Sequence, residues 1–311
     1  MIDAREDAAA ESMQDSAEYP VVVRNLMRTF GKKVALDRVN LQVQKGTVFG
    51  LVGENGAGKT TLIRHILGLL RPQAGRVRVF GMDPVAEPER VLARIGYLSE
   101  DRDLPNWARI RELMRFTSSF YPTWDHAYAE ELREMLALDP DARVRNLSRG
   151  ERAKAGLLIA LAYRPDLLLL DEPSAGLDAL VRRHILAAVI RTVADEGRTV
   201  IFSSHLLDEV ERVADNIAMI DSGRIVLSGT LDRVKSEHRL LSLHFAEPQK
   251  RLDLPGALMC EGMGRDWTVV SNGRVDELRA ALNESGAEVV EERDPSLEEV
   301  FLARVRSAQQ S

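Results

Sequence analysis

One run constrains this chain more than any other. The β-rich segment Val48 to Val52 leads directly into Gly53-Glu54-Asn55-Gly56-Ala57-Gly58-Lys59-Thr60, and an apolar-periodic helix follows from Thr61. Glycines in such a loop let successive backbone N–H groups turn inward, and the helix amino terminus behind them adds its positive dipole, so the segment is a cradle for anions. Lys59 is then placed to reach the β- and γ-phosphates of a nucleotide, and the Thr60 hydroxyl to ligate Mg²⁺. A chance glycine-rich turn would supply the flexibility but not the strand, the Lys-Thr pair and the helix together.

From Val21 onward short β-rich runs alternate with longer amphipathic stretches, the layout of helices packed on a mostly parallel sheet. Strands are expected at Val21 to Arg24, Val39 to Val43, Val48 to Val52, Leu167 to Leu170, Val200 to Ser203 and Ile217 to Ile220, with helices starting near Gly58, Ser148, Leu180 and Leu206. Between Asp101 and about residue 163 the strand signal gives way to helical periodicity. Ile110, Leu113, Met114 and Phe116 mark one apolar stripe, Leu132, Met135 and Leu136 another, and Pro122-Thr123-Trp124-Asp125 separates them. This reads as a helical insert in an α/β domain spanning residues 19–236. From about residue 237 the pattern changes to a small α+β unit running to residue 311. Its closing helix carries Ser296 as N-cap and Glu299 as the second half of a capping box.

Composition narrows the class. The chain has 311 residues, 45% hydrophobic and 29% charged, close to the globular average. Residues 1–18 are acidic and rich in Ala, without the basic start and apolar run of a secretory signal, and are expected to be a disordered lead-in. The single Cys260 can form no internal disulfide. The apolar runs around Gly156 to Leu161 and Leu167 to Leu170 are interrupted by Arg164, Pro165 and Asp166, so no membrane span is expected. A net charge of −6 gives no general attraction to nucleic acid.

A second acidic element completes a nucleotide-hydrolysing set. Leu167 to Leu170 ends in Asp171-Glu172, which places Asp171 to hold Mg²⁺ and Glu172 to polarise an attacking water; two acids merely closing a strand are the plain alternative. His205, after the strand ending at Ser203, reads by itself as a structural histidine near a helix start.

The segment Asn146-Leu147-Ser148-Arg149-Gly150-Glu151 resembles the LSGGQ signature of ABC ATPases, and the resemblance extends over roughly residues 21–231. It implies an ABC-type P-loop ATPase fold, ATP and Mg²⁺ as cofactors, and two nucleotide-binding domains that sandwich ATP between the phosphate loop of one and the signature of the other. By position it implies Phe30 as the aromatic stacking on adenine, Glu100 in the Q-loop place, reaching Mg²⁺ or water, Ser174 to Asp178 as the D-loop, and His205 as the switch histidine. Gly53 to Thr61, Ser148, Gly150 and Asp178 become nucleotide contacts, with Thr60, Glu100 and Asp171 on the metal. Arg149 and Glu151 depart from the signature, and Glu100 from the Q-loop glutamine. Arg149 either adds a cation near the phosphates or points to solvent, the expected place for a surface arginine. Phe30 is core or platform; Gly31 after it suggests a turn and exposure. Trp124 is expected in the core, Trp107 less so.

Two classes of function follow. One is the motor of a separately encoded membrane permease; the other is a soluble ABC ATPase working on nucleic acid or ribosomes. The second class typically carries two cassettes in one chain, coiled-coil arms or zinc modules, none of which occurs here. The closing Asp294 to Phe301 also resembles the carboxyl end of ATPases serving ABC-2-type exporters, of the antibiotic-resistance kind, and Phe116 to Asp125 with Leu147 to Lys154 resembles a branch associated with GntR-type regulators. The resemblance therefore implies a homodimer, peripheral on the cytoplasmic face of the membrane, driving an ABC-2-type permease, with no direct nucleic-acid binding.

Overall fold

The phosphate loop leaves the middle of a six-stranded sheet. The computed structural model describes residues 18–101, 103–194, 197–271 and 273–310, and the expected lead-in lies outside them apart from Glu18. An antiparallel sheet comes first, made of β1 (Val21–Phe30), β2 (Lys33–Val43) and β4 (Ala74–Val79) in the order β2-β1-β4. The main sheet has β3 (Val48–Val52), β5 (Ile95–Leu98), β6 (Leu167–Asp171), β7 (Thr199–Ser204), β8 (Asn216–Asp221) and β9 (Arg224–Thr230) in the order β5-β6-β7-β3-β8-β9, parallel except for the β8–β9 hairpin.

Every residue of β3, β6 and β7 is buried, as parallel strands covered on both faces must be. Alternation still decides which core each side chain joins. Phe49, Leu51, Leu167 and Leu169 face one cluster with Leu62, Ile63 and Ile66 of α1 (Lys59–Ile66). Val48, Val52, Leu168 and Leu170 face another, built with α5 (Arg149–Leu161) and α6 (Ala179–Ala194). A short α2 (Pro88–Leu92) precedes β5, and α7 (Leu207–Val213) and α8 (Leu231–Ser236) follow β7 and β9. The strands of the antiparallel sheet, β5, β9 and α2 exceed or were missing from the sequence expectation.

The insert contains α3 (Ile110–Ser118) and α4 (His126–Met135) before α5. α3 ends with Ser119 as its C-cap, and Asp125 starts the next helix: its carboxylate accepts from the Tyr128 N–H at 2.9 Å. The expected apolar stripes need correction at two places. Phe116 is 47% exposed and Met135 38%, because α3 and α4 each bury only one narrow edge, Ile110 with Leu113 and Tyr128 with Leu132. Phe116 instead stacks edge-on between Trp107 and Phe120, with centroids 6.1 and 5.1 Å away. Trp124 is buried and Trp107 exposed.

The carboxyl-terminal unit has a sheet of β10 (Leu240–Gln249), β11 (Ala257–Ser271) and β12 (Ala287–Arg293), ordered β11-β10-β12, with α9 (Val275–Ser285) packed on it through Leu278 and Leu282. The expected capping box opens α10 (Leu297–Gln310): Ser296 N–H donates to Glu299 Oε2 at 2.7 Å and Glu299 N–H to Ser296 Oγ at 3.2 Å. This helix joins the two units. Leu297, Val300 and Phe301 are buried in the core of the main sheet, while Ala303 packs on Leu240 and Val270 of the smaller one. Truncating a buried leucine such as Leu297 to alanine costs about 2–5 kcal/mol at sites of this kind. A cavity of about 540 Å³ lined by Lys250, Arg251, Glu261, Trp267 and Arg306 also lies in this unit, where the sequence suggested no pocket.

Candidate functional site

The carboxyl ends of β3, β6 and β7 meet at one edge of the main sheet. Register does the placing: Val52 pairs with Ser204, and Asp171 with Ser203. The loop after β3, the acids after β6 and the histidine after β7 therefore converge without any long side chain having to search for the site. There they form a cavity of about 430 Å³ lined by Phe30, Asn55, Gly56, Gly58, Lys59, Thr60, Thr61, Glu100 and Glu172, together with Lys33 and Ala35.

Glycine is required in this loop at the approach to β2 and β8. A Cβ on Gly58, which sits at φ 120°, would lie 2.7 Å from the Ala35 carbonyl oxygen, and one on Gly53 would collide with the Ile220 carbonyl. Ala57 is buried; its N–H donates to the Glu54 carbonyl at 3.1 Å and its carbonyl accepts from Gly223 at 2.9 Å. Lys59, only 4% exposed, donates from Nζ to the Gly53 and Glu54 carbonyls at 2.6 and 3.1 Å. Its charge is balanced by Glu172, whose Oε1 stands 2.9 Å away.

Glu172 holds two cationic or proton-bearing groups at once. Its Oε2 is 2.7 Å from His205 Nδ1. The residue occupies the left-handed region at φ 48°, unusual for a side chain without a polar tie to its own backbone. Such a conformation, costing of order 1–3 kcal/mol, persists only when the surroundings fix it. Here Glu172 N–H donates to Ser203 Oγ at 3.0 Å, and its carbonyl accepts from Ala175 N–H at 3.2 Å.

Asp171 lies beneath. Ser203 Oγ donates to its Oδ1 at 2.7 Å, whereas its Oδ2 is buried with no hydrogen-bond partner. Burial pushes the Asp171 carboxyl above the usual aspartate range, and the Ser203 and Thr60 hydroxyls pull it back in part. An orphaned anionic oxygen beside Thr60 fits a divalent cation. No cluster of three or more His, Cys, Asp or Glu exists among the described residues. Mg²⁺ binds through one or two protein oxygens and completes its shell with water and phosphate, a demand that Asp171 and Thr60 can meet.

Phe30 lies at the surface rather than in the core. It ends β1 opposite Lys33 across a turn at Gly31, is 46% exposed, and carries the Arg28 guanidinium 4.7 Å over its ring. Lys33 and Ala35 entered the site unforeseen; only the hairpin pairing brings them there.

Ser148, Gly150 and Asp178 lie away from this cavity. Ser148 caps α5, exposed, with its N–H and Oγ donating to Glu151 Oε2 at 2.9 and 2.7 Å. These bonds hold the Glu151 carboxyl below its usual range. Gly150 lets α5 lie on α6, since a Cβ there would meet Val181 Cγ2 at 2.9 Å. Asp178 caps α6, accepting from the N–H groups of Leu180 and Val181 at 3.0 and 2.9 Å. Arg149 is exposed but does not simply reach into solvent: its guanidinium covers Gly176, at φ 66°, in the loop before α6.

A glycine-walled anion cradle, a buried Lys59–Glu172 pair reaching out to His205 and an orphaned aspartate at the carboxyl edge of a parallel sheet define a P-loop ATPase. Comparison with known proteins gives the family. The family model for ABC transporters matches residues 36–175. A daunorubicin resistance ATP-binding protein of Streptomyces coeruleorubidus is 35% identical over 303 residues, covering 92% of this chain and 96% of that protein. An ABC transporter ATP-binding protein of Bacillus subtilis is 28% identical, covering 91% and 97%. A solved ATP-binding subunit of an ABC transporter superposes with a TM-score of 0.64 at 27% identity, over 70% of this chain and 92% of that one. The chain belongs to the ABC transporter family as an ATP-binding, ATP-hydrolysing subunit.

Proposed function

We propose that two copies of this chain close around two ATP molecules and use that closure to drive a separate ABC-2-type permease in an exporter. The observation that carries the reading is the separation of the two halves of the site. The phosphate cavity is assembled within one copy, while the signature end of α5 is exposed with its helix dipole pointing outward. One copy holds half of each site, so a second must supply the facing half.

In this reading Gly53 to Thr61 and Phe30 grip the nucleotide, while Thr60, Asp171 and Glu100 hold Mg²⁺, which supplies charge neutralisation at the phosphates. Glu172 takes the proton of the attacking water, His205 steadies Glu172, and Ser148, Gly150 and Asp178 complete the site from the other copy. Phosphate arriving at Lys59 competes with Glu172 for the ammonium and frees that carboxylate to act. ATP does mechanical work because it adds contacts only the closed pair makes.

The exposed Trp107, Phe116 and Phe120 of the insert support docking to a membrane partner. Among the described residues no helix is long and apolar enough to cross a membrane, and the proposed place of work is the cytoplasmic face, beside the permease. The daunorubicin resistance relative supports export. The test is the Glu172→Gln variant, which should form a stable dimer with ATP; a monomer at every ATP concentration by light scattering sinks the sandwich. Purification from native membranes should recover a multispanning permease.

A further inference from the structure

Glu209 is the most deeply buried acid outside the cavity, only 1% exposed, and the chemistry above gives it no task. It lies in the first turn of α7, four residues after His205, and its N–H donates to the Leu206 carbonyl at 3.2 Å. Its side chain leaves that segment and crosses to the loop that follows Glu172. Oε2 accepts a hydrogen bond from Ser174 Oγ, and Oε1 stands 2.9 Å from Arg182 Nε of α6. Arg182 Nη2 in turn lies 3.5 Å from the Leu177 carbonyl. The loop 174–177 is thus hydrogen-bonded to the carboxylate at Ser174 and flanked at Leu177 by the arginine that pairs with it.

A buried carboxylate is costly and persists only when paired and hydrogen-bonded. Burial pushes the Glu209 carboxyl upward, with Ser174 and Arg182 opposing. An apolar residue would fill the space more cheaply, so the reason for an acid lies in what it fixes. What it fixes is the turn of Glu172. The left-handed Glu172 is held on its carbonyl by Ala175 N–H, and Ser174 accepts from Leu177 N–H at 3.1 Å, so slack at Ser174 passes directly to Glu172. At its other end the same carboxylate anchors the helix that His205 introduces.

We propose that Glu209, through Ser174 and Arg182, is a positioning residue that sets the orientation of Glu172 against His205 and thereby the turnover rate, without touching the nucleotide. The inference rests on the reading that Glu172 activates water. Ser174→Ala removes one hydroxyl at a buried site. It should lower kcat about tenfold while nucleotide Kd, measured with a fluorescent ATP analogue, stays within about twofold. Ser174→Thr, which restores the hydroxyl, should recover most of the rate. Amide exchange across residues 172–178 of the nucleotide-free chain should quicken in Ser174→Ala and Glu209→Ala. The Glu209→Ala/Ser174→Ala double variant should be no slower than Glu209→Ala, because both act through one bond.

Wild-type kcat in Ser174→Ala, equal losses in kcat and binding, failure of Thr to rescue, or independent effects in the double variant would each overturn the brace. The Glu172→Gln control separates the two ideas. If it is inactive while Ser174→Ala is normal, only the brace falls; if Glu172→Gln turns over normally, the role of Glu172 falls and the brace with it.

Discussion

The phosphate side and the signature side of this ATPase are built on opposite principles. At the phosphate side the ion pair of Lys59 and Glu172 is buried and already made, and Glu172 also bonds the half-buried His205. At the signature side Ser148 is exposed and its donors are occupied by a carboxylate, Glu151, that belongs to its own helix. One half is preorganised, with little rearrangement left for the moment of reaction. In the proposed sandwich the other gives up a local bond to receive a phosphate, so closure is where the departure from the signature sequence is felt.

The largest effects belong to the buried half. Lys59→Ala, His205→Ala and Glu172→Gln should each lower steady-state phosphate release by about a hundredfold or more, since in the proposed mechanism Lys59 meets the phosphate, Glu172 activates the water and His205 holds Glu172 in place. Turnover near wild type in any of them would mean the chain of contacts is structural. Next in size is Gly150→Ala. The added methyl meets Val181 and forces α5 away from α6, so ATP-dependent dimerisation of the Glu172→Gln background should weaken about tenfold, read by light scattering against ATP concentration. Unchanged dimerisation would show that the signature end does not need its present angle.

Smaller, and of opposite sign, is Glu151→Gln. Removing a negative charge from the place where the proposed sandwich brings phosphate should lower the ATP concentration for half-closure a few-fold, about what one exposed charge is worth. A higher requirement would show that Glu151 assists closure by ordering Ser148.

The least effect is a pH contrast between the halves. Asp171 is raised above its unfolded value, so its contribution to stability is full below about pH 3.8 and is lost as pH rises through its folded value. Glu151 is lowered, so its contribution is present above about pH 4.5 and is lost as pH falls. In metal-free buffer Asp171→Asn should therefore gain stability relative to wild type as pH rises, while Glu151→Gln loses it by less than about 1 kcal/mol, being an exposed cap. Parallel trends in thermal melts would contradict the assigned environments.

Legibility in the sequence followed the range of the interactions. Val48 to Val52 was readable to the residue because a fully buried strand before a glycine loop has few other meanings. Ala74–Val79 and Arg224–Thr230 were not, since they bury little: Val77 and Val79 are the buried positions of the first, and the second has none. The loop, the acids and the cap of α5 are local patterns. Phe30 could be read as core or platform until the hairpin turned it outward. Lys33, the contact of Arg149 with Gly176 and the bond from Ser174 to Glu209 depend on elements brought together by the fold, 35 residues apart in the last case, and leave no periodic trace. The exposed Phe116 misled because an aromatic stack and a buried stripe share the same spacing.

The last helix carries a consequence for biogenesis. Leu297, Val300 and Phe301 complete the core under the main sheet, more than a hundred residues after β6 has been made. A ribosome therefore extrudes the entire nucleotide-binding half before Leu297, Val300 and Phe301, which pack beside α7 and β9, exist. Until then the surface they pack on stands open to chaperones and to aggregation, and long-range closure of this kind comes late in folding. The core they join is therefore completed only after residues 297–301 emerge, well after the phosphate loop has been made.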